Sequence, residues 1–397
     1  MRTMDEIDLV GKRVFIRVDF NVPLDKERRV KDDLRIRAIL PSLRKVIENG
    51  GKAILASHLG RPKGKVAEEF SLKAVGDYLS AILGRPVPTA PDCTGGEVER
   101  MVSELKAGEV LLLENLRFHP EEEKDDEEFS KRLASLADVY VNDAFAVSHR
   151  AHASVHGITR FVSVCAAGYQ MEKEITYFRQ AMVEPKRPLG MVIGGAKVST
   201  KIDLLESLIA KADYLIIGGA MANTFLKAQA KDVGKSLVED DHLKTAARLL
   251  DQARQKGVKV YLPIDAVVAP SLESCGDVEQ VSVEKVPPNM QIFDIGTETV
   301  AVFKAVLQQC KTVIWNGPVG AFEFPPFHKG TFAIADCLCD LDALTVIGGG
   351  DTAAAVNQAG DAGKVSYVST GGGAFLELLE GKTLPGVAAL EECCARS

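Results

Sequence analysis

No stretch of the sequence approaches the ~18 consecutive apolar residues that a membrane-spanning helix needs, so no such helix and no membrane partner is expected. The first ten residues carry Asp5, Glu6 and Asp8 without an apolar core, which is not the pattern of a signal peptide. A cytoplasmic protein is expected. There is no C-x-x-C pair, and no Cys/His set has zinc-finger spacing. The eight cysteines, at 93, 165, 275, 310, 337, 339, 393 and 394, therefore read as free thiols in a reducing compartment. Cys393 and Cys394 read as part of a frayed tail, and Cys337 and Cys339 would not share a helix face. Positive charge is also short: the net charge of −7 argues against a nucleic-acid partner held by phosphate attraction. No repeat of 20–50 residues is visible, which excludes a solenoid.

What is present is the balance of a globular enzyme, 46% hydrophobic and 26% charged over 397 residues, enough for two or three domains. Short β-branched runs (Arg13–Val18, Ala53–Ala56, Val110–Leu113, Val139–Val141, Met191–Ile193, Leu215–Ile217, Val258–Leu262, Thr312–Trp315, Leu344–Ile347) alternate with amphipathic segments such as Leu34–Ile47, Leu72–Leu83, Ile202–Ile209 and Leu243–Ala253. Nearly continuous hydrophobic strands alternating with helices predict an α/β fold of doubly wound, Rossmann-like parallel sheets. A charged helix over roughly Gln170–Met182, then Glu184-Pro-Lys-Arg-Pro188, marks a boundary and a hinge element. The run Glu121–Glu128 reads as a solvated helix start, His152 and His156 as structural, and Trp315 as core.

Ligands of open parallel sheets bind beyond the carboxyl ends of strands. The two halves differ there. Residues 1–160 hold 15 of the 20 arginines and 5 of the 7 histidines, and their strand ends read Asp19-Phe-Asn-Val-Pro23, Ser57-His-Leu-Gly-Arg61, Glu114-Asn-Leu-Arg-Phe118 and Asn142–Arg150. Arginine forks match phosphate and carboxylate geometry, so this half is equipped for a small anion. Strand ends of the second half are glycine clusters, Gly194-Gly-Ala-Lys197, Gly218-Gly-Ala-Met221, Asn316-Gly-Pro-Val-Gly320 and Gly348-Gly-Gly-Asp-Thr352, with Gly371-Gly-Gly373 opening a late helix. Glycines before helix starts expose backbone N–H groups to phosphate.

No Walker A is present, because Ala196 puts Lys197 one residue out of step. Gly348–Ala353 fits the dinucleotide fingerprint, but the later acidic residue is missing from Val365–Thr370, leaving a dehydrogenase reading with little support. Asp351 and Thr352 suit a Mg²⁺ ion on nucleotide phosphates, or equally a helix N-cap. Lys197 and Lys201, spaced i, i+4 at a helix start, call for an anion or are simply solvated.

In these segments the sequence resembles the phosphoglycerate kinase family. The resemblance runs from Val10 to Leu390 and is carried by Val14-Phe-Ile-Arg-Val-Asp-Phe-Asn-Val-Pro23, Arg35-Ile-Arg-Ala38, Ser57-His-Leu-Gly-Arg-Pro62, Glu114–Phe118, His149-Arg-Ala-His152, Gly194-Gly-Ala-Lys-Val-Ser-Thr-Lys201, Trp315–Gly320, Gly348–Thr352 and Ser369-Thr-Gly-Gly-Gly373. It departs at Thr297, Pro325, His328 and Phe375. The resemblance implies reversible phosphoryl transfer between ATP and 3-phosphoglycerate, with Mg²⁺ accompanying ATP or ADP, domain closure and a monomeric enzyme. It implies an N-terminal acid-binding domain, residues 1–168 with a returning segment 384–397, and a nucleotide domain, 169–383, with a linking helix 170–183. Substrate contacts carry over to Asp19, Asn21, Arg35, His58, Leu59, Gly60, Arg61, Arg117 and Arg150. Nucleotide contacts carry over to Gly195, Ala196, Lys201, Gly218, Gly219, Gly296, Asn316, Pro318, Glu323, Gly349, Gly350, Asp351 and Thr352.

A carboxylate nucleophile is ionised at neutral pH and needs no general base. What the transfer needs is neutralised charge between two anions. Arg35 and Lys197 are therefore expected on the transferring phosphoryl oxygens, with backbone N–H groups of Gly350 and Gly373. Arg61, Arg117 and Arg150 are expected on the remote phosphate, Asp351 on Mg²⁺, and Asp19 on the substrate hydroxyl.

Overall fold

A computed structural model describes residues 1–396 apart from Cys275 and Asp361. The chain divides into two compact units, Met1–Ile175 with Thr383–Ser397, and Thr176–Lys382.

In the first unit, strands β1 (Arg13–Arg17), β2 (Lys52–Ala56), β3 (Val110–Leu112), β4 (Val139–Asn142) and β5 (Cys165–Ala167) form one parallel sheet in the order β3-β2-β1-β4-β5. Val14 pairs with Ala53 on one side and Val139 on the other. With strands on both edges, β1 is buried on both faces along almost its whole length, which is why its sequence does not alternate. The helix Leu34–Glu48 buries Ile36, Ile39, Leu40, Leu43 and Val46, the i, i+3, i+4 stripe anticipated for it. Strand order reverses between β1 and β4, so residues 18–23 and 143–150 flank the topological switch point.

In the second unit, β6 (Leu189–Ile193), β7 (Tyr214–Ile217), β8 (Lys259–Tyr261), β12 (Thr312–Asn316), β13 (Leu344–Gly348) and β14 (Tyr367–Val368) form a parallel sheet in the order β14-β13-β12-β6-β7-β8. Its switch point lies between β6 and β12, where the segments 194–197 and 317–320 emerge. Trp315 is fully buried in this unit's core, as expected, its Nε1 donating to Gly317 O at 2.7 Å.

Several local expectations need correction. A three-stranded antiparallel sheet of β9 (Asp265–Ala269), β10 (Glu279–Ser282) and β11 (Gln291–Ile295), order β10-β9-β11, lies in a region that gave no strand signal. The expected helix Gln170–Met182 is a helix over Tyr169–Phe178 continued by a π-turn, Arg179–Val183. Residues 393–394 are not frayed: they lie in the helix Pro385–Arg396, whose inner face buries Ala389, Leu390 and Cys393. That helix packs on β5. Cys393 is bonded to Cys165 there with Cα atoms 6.1 Å apart, so the free-thiol reading fails for this pair. A partner 228 positions away leaves no spacing signal. Cys93, Cys310, Cys337 and Cys394 remain thiols, and Cys275 lies outside the described residues. Nor is the acidic run solvated throughout, since Glu122 is completely buried. Among the described residues no helix is long and apolar enough to cross a membrane.

Candidate active site

At the switch point of the first unit, side chains from four strand ends converge. Asp19, just past β1, is buried and its Oδ2 receives Arg35 Nη1 at 2.8 Å. Asp19 Oδ1 accepts the Asn21 backbone N–H, and Asn21 Oδ1 accepts that of Gly60 at 2.9 Å. These two residues thus hold Arg35 and the Ser57–Arg61 turn in place. Asp19 is thus already the partner of a cation. Leu59 points into the core, which leaves only its backbone for a ligand. Arg117 is buried after β3 and donates Nη1 to Gly60 O at 2.9 Å. Its Nε, 3.3 Å from Glu123 Oε1, lacks an aligned acceptor. Burial, and after it the charge of Arg17, brings the Arg117 guanidinium down to about 10. Arg150 is half-buried beside His149, its Nε 3.2 Å from His149 Nε2, and Arg61 is exposed.

Beneath them lies a charged network built on Arg17 and Ser154, to which sequence reasoning assigned no role. Arg17 is completely buried, donating Nε to Ser154 Oγ at 2.8 Å and Nη1 to Val18 O. Ser154 passes the link on, its hydroxyl 2.6 Å from Glu122 Oε1 and its N–H 2.9 Å from Oε2. Burial raises the Glu122 carboxyl, opposed by Arg17 and the Ser154 bonds. Arg17 Nη2 lies 3.3 Å from His58 Nδ1. A guanidinium only donates, so His58 keeps its proton on Nε2. Burial, then Arg17 and Arg117, hold the His58 imidazole far below its usual range. His152 stands 3.9 Å from Glu122 but is neutral, drawn down to about 3 by burial first and then Arg117 and Arg17. The available signal was Arg17 itself, a charge inside an otherwise continuous hydrophobic strand.

In the second unit the glycine-rich strand ends border a cavity of about 250 Å³. Gly195, Ala196, Gly219, Pro318, Glu323 and Asp351 line it, together with apolar Leu226, Ala266, Ile292 and Val319. The antiparallel sheet supplies Ala266 and Ile292 of that apolar wall. Close backbone approach explains the glycines: at Gly219, with φ +68°, a Cβ would sit 2.6 Å from Gly195 N. Gly349 caps the helix Gly350–Gln358 with φ +93°, and its Cβ would meet Asn316 Nδ2 at 2.8 Å. The N-cap reading of Asp351 and Thr352 does not hold. Thr352 Oγ1 instead accepts Gly317 N–H at 2.6 Å, tying two strand ends together. Asp351 is exposed in the first turn and takes no hydrogen bond among the described residues. One unengaged carboxylate at a cavity rim, with water and phosphate completing the shell, is a donor set that fits Mg²⁺.

The two lysines part company. The helix starts at Ile202, not at Lys197, so the i, i+4 pairing is absent. Lys197 is exposed. Lys201 folds back, donating Nζ to Gly194 O at 2.8 Å and Asn316 Oδ1 at 2.7 Å. Burial pulls its ammonium down to about 8, with Asp351 opposing. Asn316, Gly218, Gly296, Gly349, Gly350 and Thr352 do not line the cavity. Gly218 is pressed against Val319, and Gly296 abuts the Asp265 carboxylate. Gly350 and Gly373 present exposed backbone at helix starts. Asp294, unremarked in the sequence, lines the cavity almost fully buried, accepting Gly330 N–H at 2.7 Å, and burial raises its carboxyl to about 7.

Comparison with known proteins gives one family. The family model of phosphoglycerate kinase matches residues 4–382. The phosphoglycerate kinase of Syntrophobacter fumaroxidans is 73% identical over 397 residues, all of both chains. That of Geobacter metallireducens is 53% identical over 393 residues, 99% of each. Among solved structures, phosphoglycerate kinase from Coxiella burnetii superimposes with a TM-score of 0.91 at 41% identity, covering 98% of each chain. The enzyme from Pyrococcus horikoshii gives 0.87 at 31% over the full length of both.

Proposed function

The chain belongs to the phosphoglycerate kinase family, and from that premise we propose how its residues divide the reversible transfer of a phosphoryl group between ATP and the carboxylate of 3-phosphoglycerate. It is a phosphotransferase with a carboxyl acceptor. The first unit takes the sugar acid: Arg61, Arg117 and Arg150 hold its remote phosphate, while Arg35, steered by Asp19, meets the carboxylate end. His58, neutral with its proton on Nε2, donates a hydrogen bond rather than shuttling a proton. Asn21, Leu59 and Gly60 shape this turn through their backbone and the Asn21–Gly60 bond.

The second unit takes the nucleotide between Gly195, Ala196, Gly219, Pro318 and Glu323, with Lys201, Asn316 and Thr352 bracing the loops from behind. Asp351 would hold Mg²⁺, which when bound neutralises phosphate charge. Lys197, unpaired and exposed, is left to reach the transferring phosphoryl group with Arg35 and the N–H groups of Gly350 and Gly373. The attacking carboxylate carries its charge at neutral pH, so the site supplies positive charge and alignment instead of a base. Donor and acceptor belong to different units, and on chemical grounds domain closure with loss of water is part of the proposal. The same reading has a monomer working in the cytoplasm.

One observation carries the assignment: guanidinium groups gather at one switch point, whereas glycine backbone and a carboxylate gather at the other. The test is a coupled assay of ATP formed from 1,3-bisphosphoglycerate and ADP. Lys197→Ala is expected to lower kcat about 100-fold. Near-normal kcat would overturn its role.

A further inference from the structure

Away from both switch points, three side chains of different chemistry meet beside the end of β3. Asp92 and Cys93 follow the short bridge between Thr89 and Leu112, and His119 follows the turn Leu116–Phe118. Their donor atoms, a carboxylate oxygen, a thiol sulfur and a ring nitrogen, all lie within 4.8 Å of one another. His119 Nε2 is 2.6 Å from Asp92 Oδ1. The frame around them is built: Asp92 O accepts Glu114 N–H at 3.3 Å, and the His119 ring stacks on Phe129 with centroids 5.2 Å apart. Cys93 is fully buried, whereas Asp92 and His119 keep partial exposure.

We propose that Asp92, Cys93 and His119 form a binding site for one zinc-class divalent cation, distinct from the phosphate-handling residues and independent of their assignment. A tetrahedral zinc centre spaces its donors by about 3.5 Å. The His119–Asp92 contact opens by about 1 Å to admit the ion, and the sulfur closes beneath it. Thiolate with imidazole selects a borderline-soft ion over Mg²⁺ or Ca²⁺, which take oxygen shells. The exposed side of Asp92 and His119 admits the ion and leaves a fourth position for water. As the metal–sulfur bond forms, Cys93 Sγ releases its proton to water. His119 gives up to water the Nε2 proton it shares with Asp92 Oδ1 and binds through the freed lone pair, its remaining ring proton on Nδ1. A plain Asp92–His119 ion pair over an inert thiol would give the same contacts without metal, so the sulfur is what the experiment must read.

The probe is cobalt(II) titrated into the full-length, metal-free chain without nucleotide. The expected result is one equivalent bound, with a sulfur-to-cobalt charge-transfer band that zinc(II) abolishes. Cys93→Ser removes the band, and His119→Gln weakens binding about 100-fold or more. Cys394→Ser leaves both unchanged. Should Cys93→Ser fail to fold, His119→Gln and Asp92→Asn, which alter the exposed side, carry the test by the same band. No band, a band that survives Cys93→Ser, or equal affinity in His119→Gln overturns the site.

Discussion

Raising the pH from 7 to 9 is expected to weaken Mg-ADP binding about tenfold through one side chain, Lys201. Its Nζ is held against Gly194 O, Asn316 O and Asn316 Oδ1, three uncharged acceptors that do not repay the loss of water, so its pKa falls from 10.5 to about 8. Roughly nine tenths of the protein carries the ammonium at pH 7 and about one tenth at pH 9. Nucleotide phosphates favour the charged form, so the complex binds more protons than the free protein and affinity falls as pH rises. The apparent Kd then grows about tenfold, or ~1.4 kcal/mol. Fold stability moves the opposite way. Between about pH 8 and the unfolded value of 10.5, the unfolded chain holds the extra proton, so this group's contribution to stability rises with pH. Titration calorimetry of Mg-ADP at pH 7, 8 and 9 reads the first effect. Lys201→Met should bind more weakly at pH 7 and show no slope. A wild-type Kd constant within about twofold, or an equal slope in Lys201→Met, would refute the reasoning.

Three further outcomes are expected. Glu122→Leu leaves the buried Arg17 guanidinium without its carboxylate and should cost about 3–5 kcal/mol in denaturant unfolding; a loss under about 1 kcal/mol would mean that Arg17 finds its compensation elsewhere. Arg117→Lys keeps a cation but loses the fork that reaches Gly60 O. It should lower kcat/KM for 3-phosphoglycerate about 100-fold with the ATP KM within about twofold, and equal losses on both substrates would remove Arg117 from the acid site. Asp143 is buried, its Oδ1 accepting Gln170 and Met171 N–H while Oδ2 has no partner, and burial raises its carboxyl from 3.8 to about 6. The folded state therefore holds a proton that the unfolded state has lost, and stability from this group declines as pH rises through about 6. Asp143→Asn keeps the acceptor and removes the charge, so it should stabilise by up to about 3 kcal/mol near pH 7.5 and by only about 0.5 kcal/mol near pH 4. Thermal unfolding at the two values reads the difference, and an equal shift at both would contradict it.

Legibility varied with the range of the interaction. The parallel strands were readable because burial on both faces demands consecutive hydrophobes. The helix Ile202–Ile209 was readable because one face repeats every three to four residues. The antiparallel strands were not: β10 is mostly exposed and β11 only partly buried, so neither carried the pattern sought. Among candidate site residues, arginines and glycines at strand ends stood out by type. Glu122 did not, because it looks ordinary within an acidic run until the fold links it through Ser154 to Arg17, whose own signal was a charge inside a hydrophobic strand. Asp294 was hidden likewise, one acid between Phe293 and Ile295 whose backbone partner, Gly330, comes from a distant segment.

Residue order by itself determined the alternation of strand and helix, the contrast between an arginine-rich half and a glycine-rich half, and the family. Those follow from local chemistry, which each segment carries alone. Tertiary structure decided what the charges do: which lysine folds back onto neutral acceptors and which stays exposed, that His58 is a neutral donor, and that Cys165 finds Cys393. A proton's energy depends on the water and the charges around it, and only the folded chain assembles those from segments far apart in sequence.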